Sequence, residues 1–146
     1  LRDFSGERPS VAKRDPDFLL IARTDARGVT SYDDAVARAH AYLKAGADAI
    51  FPEALQTREE FERFARDVPA TLLANMTEFG RTPYLTVEEF AAMGYRLVIF
   101  PVTLQRIAMK AMERALAVLR AEGTQRGLLD QMQTRQELYD LLDYEP

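Results

Sequence analysis

The chain has 146 residues, of which 47% are hydrophobic and 29% charged, a composition that predicts a folded globular domain rather than a disordered segment. Its formal net charge of −4 argues against nucleic-acid binding, which usually requires a basic surface, and the absence of cysteine excludes disulfides and thiolate chemistry within these residues. No apolar run is long enough to span a membrane and no signal-peptide pattern is present, so a cytoplasmic protein is the default expectation.

The first segment, 1–14, is polar, charged and broken by glycine and proline, which predicts a linker or mobile arm. Four short apolar runs follow, and each is continuously apolar at its centre, as expected of strands that are buried on both faces. The predicted strands cover 17–25, 47–54, 70–77 and 95–102.

Helical patterns alternate with these runs. Four of the predicted helices begin at a serine or threonine that is followed three residues later by an acidic residue, the spacing of a capping box. Three of the helical segments end at a glycine, a common C-terminal stop. His40 lies within the first helix and is interpreted as an ordinary boundary residue. The predicted helical segments are 31–46, 57–67, 86–94, 104–123 and 134–142.

This alternation predicts an α/β fold with a parallel sheet. Both a (β/α)₈ TIM barrel and an open doubly wound sheet fit the pattern, but no glycine-rich loop follows a strand, which disfavours a nucleotide-binding fold. A complete barrel takes about 250 residues, so four β/α units amount to half of one. We therefore predict a half-barrel over 15–125 and a C-terminal helical tail over 126–146.

Polar side chains stand at the carboxyl ends of the predicted strands, which form the ligand face of parallel α/β folds. They combine arginine with a carboxylate, an amide and a hydroxyl, and this set suits a small, multiply anionic ligand accompanied by a hard cation. Structural alternatives stay open: Arg23 could pair with Asp25, Glu53 could cap the next helix, and Arg106 and Arg135 could be solvated.

Four stretches carry a resemblance to a known family: "IARTDA", "GADAIFPEA", "LLANMTEFG" and "EGTQRGLLDQMQTRQELYDLL". Together they resemble the isocitrate lyase/phosphoenolpyruvate mutase superfamily, and "ANMTEFG" with the tail motif is most similar to its 2-methylisocitrate lyase branch. The resemblance runs from Asp15 to the C-terminus. It implies the C-terminal half of a (β/α)₈ barrel and a lyase of the methylcitrate cycle of propionate catabolism, which cleaves 2-methylisocitrate to pyruvate and succinate.

The resemblance also implies roles for individual residues. Arg23 would bind a substrate carboxylate near the enolate that develops on the pyruvate side, and Glu53 would lie beside the metal and its bound water. Arg23 and Glu53 would be the catalytic residues. The cofactor would be Mg²⁺ or Mn²⁺, with its ligands mainly outside this chain. The substrate-binding set would comprise Arg23, Glu53, Asn75, Met76, Thr77, Arg106 and Arg135.

The family's metal-binding aspartates and its cysteine-bearing loop belong to the first half of the barrel and have no counterpart here. We therefore expect a working enzyme of about twice this length and no turnover by the 146 residues alone. Exposed strand edges and an apolar tail predict a homo-oligomer, and the resemblance favours a tetramer. Alternative functions are oxaloacetate decarboxylation, phosphonopyruvate or phosphoenolpyruvate chemistry, or a catalytically inactive half-barrel that serves in assembly. Neither nucleic acid nor membrane is expected as a partner.

Overall fold

The computed structural model describes residue 15 and residues 17–145, so the predicted linker or arm at 1–14 lies outside the described residues. The chain divides into two compact units, Leu1–Thr103 and Leu104–Pro146. The domain boundary that the sequence suggests between residues 125 and 126 stays a prediction.

The first unit holds a four-stranded parallel sheet in which each strand pairs with the next one along the chain. The predicted α/β class is confirmed. A doubly wound sheet reverses its strand order at a switch point, whereas the sequential order seen here is that of a barrel wall. The elements of this unit are β1 (Ile21–Thr24), α1 (Ala26–Val29), α2 (Tyr32–Lys44), β2 (Ala49–Pro52), α3 (Arg58–Asp67), β3 (Thr71–Asn75), α4 (Val87–Ala92) and β4 (Leu97–Ile99).

The predicted helix starts are confirmed by their capping hydrogen bonds. The side chains of Ser31, Thr57 and Thr86 each accept a bond from the backbone N–H three residues further on, at 3.1, 3.2 and 3.1 Å. The box is reciprocal at Thr86, whose own N–H donates to the Glu89 carboxylate at 2.8 Å. These bonds satisfy donors that every helix leaves open in its first turn, so they position α2, α3 and α4 along the chain.

Aromatic side chains from α3 and α4 form the centre of the core. Phe61 packs edge-to-face on Phe90 and Tyr95, with ring centroids 5.2 and 5.6 Å apart, and Phe64 is fully buried in the same hydrophobic cluster. Leu72 of β3 is 1% exposed and belongs to the same cluster. Burial of these rings stabilises the packing of the helices on the sheet. The polar side chains lie outside this core, at the ends of the strands.

The prediction that every strand is buried on both faces holds for the two central strands only. Ile50 of β2 and Leu72 of β3 are 0% and 1% exposed, whereas Ile21 of β1 and Ile99 of β4 are each 37% exposed. The difference arises because β1 and β4 each pair with a single neighbour in this chain.

The regular strands are also shorter than the apolar runs that predict them. The run at 95–102 pairs only over Leu97–Ile99. Pro101 has no N–H to donate, and it restricts the backbone of Phe100 before it, so the chain leaves the sheet there.

The second region is helical and consists of α5 (Thr103–Glu122), a 3₁₀ helix (Arg126–Gln131) and α6 (Arg135–Leu142). The sequence predicted α5 and α6 but not the 3₁₀ helix, nor the single turn of α1 in the first unit. Thr134 caps α6 in a second reciprocal box with Glu137. Neither α5 nor α6 contains a buried residue, whereas Leu128 of the 3₁₀ helix is buried.

Among the described residues, 15 and 17–145, no helix is both long enough and apolar enough to span a membrane.

Candidate functional site

A cavity of about 550 Å³ lies in the first unit, where the ends of β1, β2 and β3 meet. Four of the residues predicted from the sequence line it together, one or two from each strand end. The lining consists of Arg23, Gly28, Glu53, Ala54, Gln56, Asn75, Thr77, Gly80, Arg81 and Thr82.

Arg23 stands near the end of β1, with its guanidinium stacked over the ring of Phe51, its register partner on β2, at 4.9 Å. The side chain is 51% exposed and forms ion pairs with Asp25 at 2.7 Å and with Glu53 at 3.5 Å. The hydrogen bond that Arg23 donates to the Asp25 carboxylate raises the pKa of Arg23, burial opposes this rise, and the Glu53 carboxylate adds to it. Arg23 is therefore a fixed cation at the cavity wall.

Glu53 is positioned by the backbone on both sides of it. Its N–H donates to the Thr24 carbonyl at 2.9 Å, which ties the residue to β1 after β2 has ended. The next residue, Ala54, has a φ of 65°, a left-handed conformation that is uncommon for residues other than glycine. The turn at Ala54 leads the chain away from the sheet and leaves the Glu53 side chain among the cavity residues.

A continuous polar row crosses the three strand ends. The Asn75 amide donates to Glu53 Oε2 at 3.4 Å, and the Thr77 hydroxyl donates to Asn75 Oδ1 at 2.9 Å. Together with the Arg23–Glu53 ion pair, this places a guanidinium, a carboxylate, an amide and a hydroxyl in succession. Such a row can bind an anion that also carries a hydroxyl group, because it offers both donors and an acceptor.

These contacts decide between some of the structural alternatives. Arg23 does pair with Asp25, but it faces Glu53 and the cavity as well. Glu53 is not the cap of the following helix, because the Thr57 side chain caps α3. His40 is an exposed helix residue whose Nε2 lies 2.9 Å from the Asp67 carbonyl.

The remaining predicted site residues are not among those that line the cavity. Met76 is 5% exposed and belongs to the hydrophobic core, while its N–H donates to the Ile99 carbonyl at 2.8 Å. Arg106 lies in α5, and Arg135 is the first residue of α6. Their roles in substrate binding stay predictions.

The cavity also contains residues that the sequence reasoning did not select. Gln56 follows β2, and Arg81 and Thr82 lie in the loop between β3 and α4. They could have been selected because they follow Glu53 and Thr77 closely in the sequence. A loop that begins at the carboxyl end of a strand borders the same ligand face as that strand end.

The cavity offers few ligands for a metal ion. Within the part of the chain that the structure describes, no group of three or more histidine, aspartate or glutamate side chains is placed to hold one. Glu53 is the carboxylate among the described lining residues, and it is engaged by Arg23 and Asn75. These residues alone therefore do not fit a divalent cation, which takes several oxygen ligands.

Comparison with known sequences gives consistent relatives. A family profile described as phosphoenolpyruvate phosphomutase matches residues 7–120. A 2-methylisocitrate lyase of Aeropyrum pernix is 57% identical over 128 residues, which are 88% of this chain and 42% of that protein. A 2-methylisocitrate lyase of Bacillus subtilis is 47% identical over 144 residues, covering 99% of this chain and 48% of the relative. The chain thus spans less than half the length of these curated relatives.

Solved structures give the same picture. The structure of a 2,3-dimethylmalate lyase, described as a PEP mutase/isocitrate lyase superfamily member, matches with a TM-score of 0.77 at 36% sequence identity. The match covers 84% of this chain and 43% of the lyase chain. A phosphonopyruvate hydrolase in complex with oxalate and Mg²⁺ has a TM-score of 0.77 at 29% identity, with 92% of this chain and 48% of its own covered.

Proposed function

Because the chain belongs to the phosphoenolpyruvate mutase/isocitrate lyase superfamily, we propose that it forms part of a 2-methylisocitrate lyase. The reaction is the cleavage of 2-methylisocitrate to pyruvate and succinate. The observation that carries the proposal is the polar row of Arg23, Glu53, Asn75 and Thr77, whose side chains line one cavity at the ends of three neighbouring strands.

The electron balance of the reaction corrects one expectation from the sequence. The tertiary hydroxyl group loses its proton, and the carbon–carbon bond breaks as that oxygen becomes the carbonyl oxygen of pyruvate. The bonding electrons stay on the succinate carbon, so the enolate-like charge develops on the succinate part rather than on the pyruvate side. That carbon then takes up a proton from an acid that the proposal places in the other half of the barrel, which gives succinate. The charge on the pyruvate side is that of the ionising hydroxyl oxygen.

This chain supplies binding and orientation in the proposed reaction. Arg23 binds the pyruvate-side carboxylate and stabilises the negative charge on the adjacent oxygen, because a fixed cation in a cavity stabilises developing charge more than water does. Glu53 accepts a hydrogen bond from the substrate hydroxyl, or receives its proton through water. Asn75 and Thr77 hold the succinate part, while Arg106 and Arg135 keep only the role of further anion contacts that the family resemblance implies.

A magnesium or manganese ion is proposed for the complete enzyme, by which we mean this chain joined to the first half of the barrel. Its support is the superfamily membership and the Mg²⁺ in the phosphonopyruvate hydrolase complex. The metal would supply charge stabilisation to the substrate's oxygens. Since the described residues do not form a metal site, the proposal places its ligands in the other half of the barrel and assigns no step to it.

Substrate profiling of the complete enzyme tests the proposal. Pyruvate formation is measured with 2-methylisocitrate, oxaloacetate and phosphonopyruvate at equal concentrations. We expect kcat/KM for 2-methylisocitrate to exceed the other two values by at least about a hundredfold. The variant Glu53→Gln should lower that value strongly, whereas Glu88→Gln, an exposed glutamate of α4, should leave it unchanged. Preference for another substrate would reassign the reaction within the superfamily.

We also propose that the complete enzyme is a homo-oligomer. The support is the apolar surface of α5, which its own unit leaves uncovered: Leu104, Ile107 and Leu116 are 80%, 63% and 66% exposed. Surfaces of this kind usually mark protein–protein contacts. A tetramer remains the favoured assembly from the family resemblance.

A further inference from the structure

The loop between β3 and α4 is fastened to the rest of the cavity. The Thr82 hydroxyl donates to the Leu55 carbonyl at 2.8 Å, which joins this loop to the segment after β2. The Phe79 N–H donates to the Tyr84 hydroxyl at 3.0 Å and closes the loop on itself. Arg81 lies between these two bonds and lines the cavity, so its backbone is held in place although the side chain is exposed.

Charge distinguishes Arg81 from the other cation of the cavity. Arg23 has two carboxylate neighbours, Asp25 and Glu53, so its charge is more than balanced within the protein. Across residue 15 and residues 17–145, the structure shows no hydrogen bond or ion pair of the Arg81 guanidinium. An anion that enters the cavity therefore meets one cation whose charge the described residues leave uncompensated.

We propose that Arg81 binds one of the substrate's carboxylates at the outer side of the cavity and selects for a dicarboxylate over a monocarboxylate. This inference rests on the proposed function, because it takes the succinate part of the substrate as its ligand. Asn75 and Thr77 bind one end of the succinate part, and the Arg81 guanidinium binds the carboxylate at its other end. Arg81 would thus determine the preference for dicarboxylates from the loop between β3 and α4, rather than from a strand end.

The alternative is that Arg81 is a solvated surface arginine. The two possibilities differ in one measurable quantity, the preference for succinate over butyrate, which has the same number of carbons and one carboxylate fewer. A solvated arginine acts on both anions weakly and alike. An arginine that grips the second carboxylate acts on succinate alone.

Calorimetric titration of the complete enzyme with succinate and with butyrate tests the proposal. The variant Arg81→Gln should weaken succinate binding about tenfold or more, the scale of one charge-assisted hydrogen bond, and leave butyrate binding unchanged. Arg81→Lys should keep part of the preference, since it retains the charge but not the planar fork. Arg96→Gln is the matched control, because Arg96 is exposed, carries the same charge and does not line the cavity.

Turnover measured beside binding separates this inference from the proposed function. If the wild type cleaves 2-methylisocitrate and Arg81→Gln keeps its succinate affinity, the role of Arg81 is overturned alone. If the wild type binds succinate through Arg81 but cleaves no 2-methylisocitrate, the proposed function fails and the dicarboxylate site stands. If the wild type binds neither succinate nor butyrate, both are overturned. Melting curves confirm that the variants are folded.

Discussion

Ala54 shows how a single backbone conformation can orient a side chain of the candidate site. It follows Glu53 directly and has a φ of 65°, in the left-handed region. Such a conformation costs of order 1–3 kcal/mol for a residue other than glycine, and it persists only where the surrounding structure enforces it. The strain lies beside the carboxylate of the polar row, which suggests that it serves to direct Glu53.

Substitution of Ala54 tests this interpretation. Ala54→Gly should keep kcat/KM within about twofold and leave the melting temperature nearly unchanged, because glycine adopts this φ readily. Ala54→Val should lower kcat/KM about tenfold to a hundredfold, since a β-branched residue disfavours the conformation and a displaced catalytic group is costly. Steady-state kinetics of the complete enzyme provide the measurement. Full activity of the valine variant would show that the turn does not orient Glu53.

Arg23 offers a second test at the same scale. Arg23→Lys keeps the charge but loses the two-pronged geometry, so kcat/KM for 2-methylisocitrate should fall by roughly two to three orders of magnitude. The melting temperature should change little, because Arg23 and Asp25 are 51% and 54% exposed and exposed ion pairs contribute about 0–1 kcal/mol. Normal turnover with a lowered melting temperature would instead assign Arg23 to stability.

At the scale of elements, α1 and α3 are joined by an ion pair across the turn that follows β2. Arg27 donates to Glu60 Oε1 at 2.6 Å, and Glu60 Oε2 accepts from the Gln56 N–H at 2.7 Å. The two charged side chains are only 25% and 21% exposed. Burial alone would raise the pKa of Glu60, but the bonds from Arg27 and Gln56 hold it below its ordinary value of 4.5.

This shift makes the contribution of Glu60 dependent on pH. A carboxyl group whose pKa is lower in the folded state stabilises the fold above its unfolded pKa, and the stabilisation is lost as the pH falls through the folded value. Glu60→Gln should therefore lower the free energy of unfolding by roughly 1–3 kcal/mol at pH 7, and the difference from wild type should close below about pH 4.5. Denaturant titrations of the complete enzyme between pH 3 and 8 measure it.

The neighbouring variant Glu62→Gln serves as the control. Glu62 pairs with Arg58 at the surface, where the two side chains are 41% and 42% exposed, so its loss should change stability much less than the loss of Glu60. A difference for Glu60→Gln that stays constant down to pH 3 would rule out the ion pair as its cause.

The order of elements could be predicted because it depends on local chemistry. Capping residues such as Thr57 and Thr86 bond to the nearest turn, and their spacing is visible in the sequence. The extent of β1 and β4 could not, since pairing depends on a neighbouring strand. The position of Glu53 and Asn75 at one edge could be predicted because parallel strands end there. The position of Arg81 at the cavity could not, because the path of a loop depends on tertiary contacts such as the Thr82–Leu55 bond.

At the scale of the whole molecule, activity should require more than these 146 residues. The cavity supplies groups that can bind the substrate, but the described residues form no metal site and the sequence contains no cysteine. The purified chain should form no pyruvate from 2-methylisocitrate at saturating Mg²⁺, whereas the complete enzyme should. Clear turnover by the chain alone would require an acid and a metal site that the proposal places elsewhere.

Assembly is the second expectation for the whole molecule. Burial of the exposed apolar side chains of α5 between subunits would favour association, at about 25 cal/mol for each Å² of apolar area removed from water. Light scattering at micromolar concentration should give a mass above that of one subunit. Replacing Ile107 and Leu116, both on α5, with lysine should shift the complete enzyme toward the monomer, and a monomeric wild type would contradict the proposal.

The sequential order of the sheet bears on how the chain folds during synthesis. Ile21 pairs with Ala49, Ala49 with Thr71, and Leu73 with Leu97, so no strand waits for a partner beyond the next helix. The entropy cost of closing a loop rises with its length, so pairing with the next strand along the chain keeps this cost smaller than pairing with a more distant strand would. The sheet can therefore grow strand by strand as the chain leaves the ribosome, with each new helix covering the strands already laid down. Sequential pairing thus allows this parallel sheet, a kind that is usually slow to form, to assemble in the order in which it is translated.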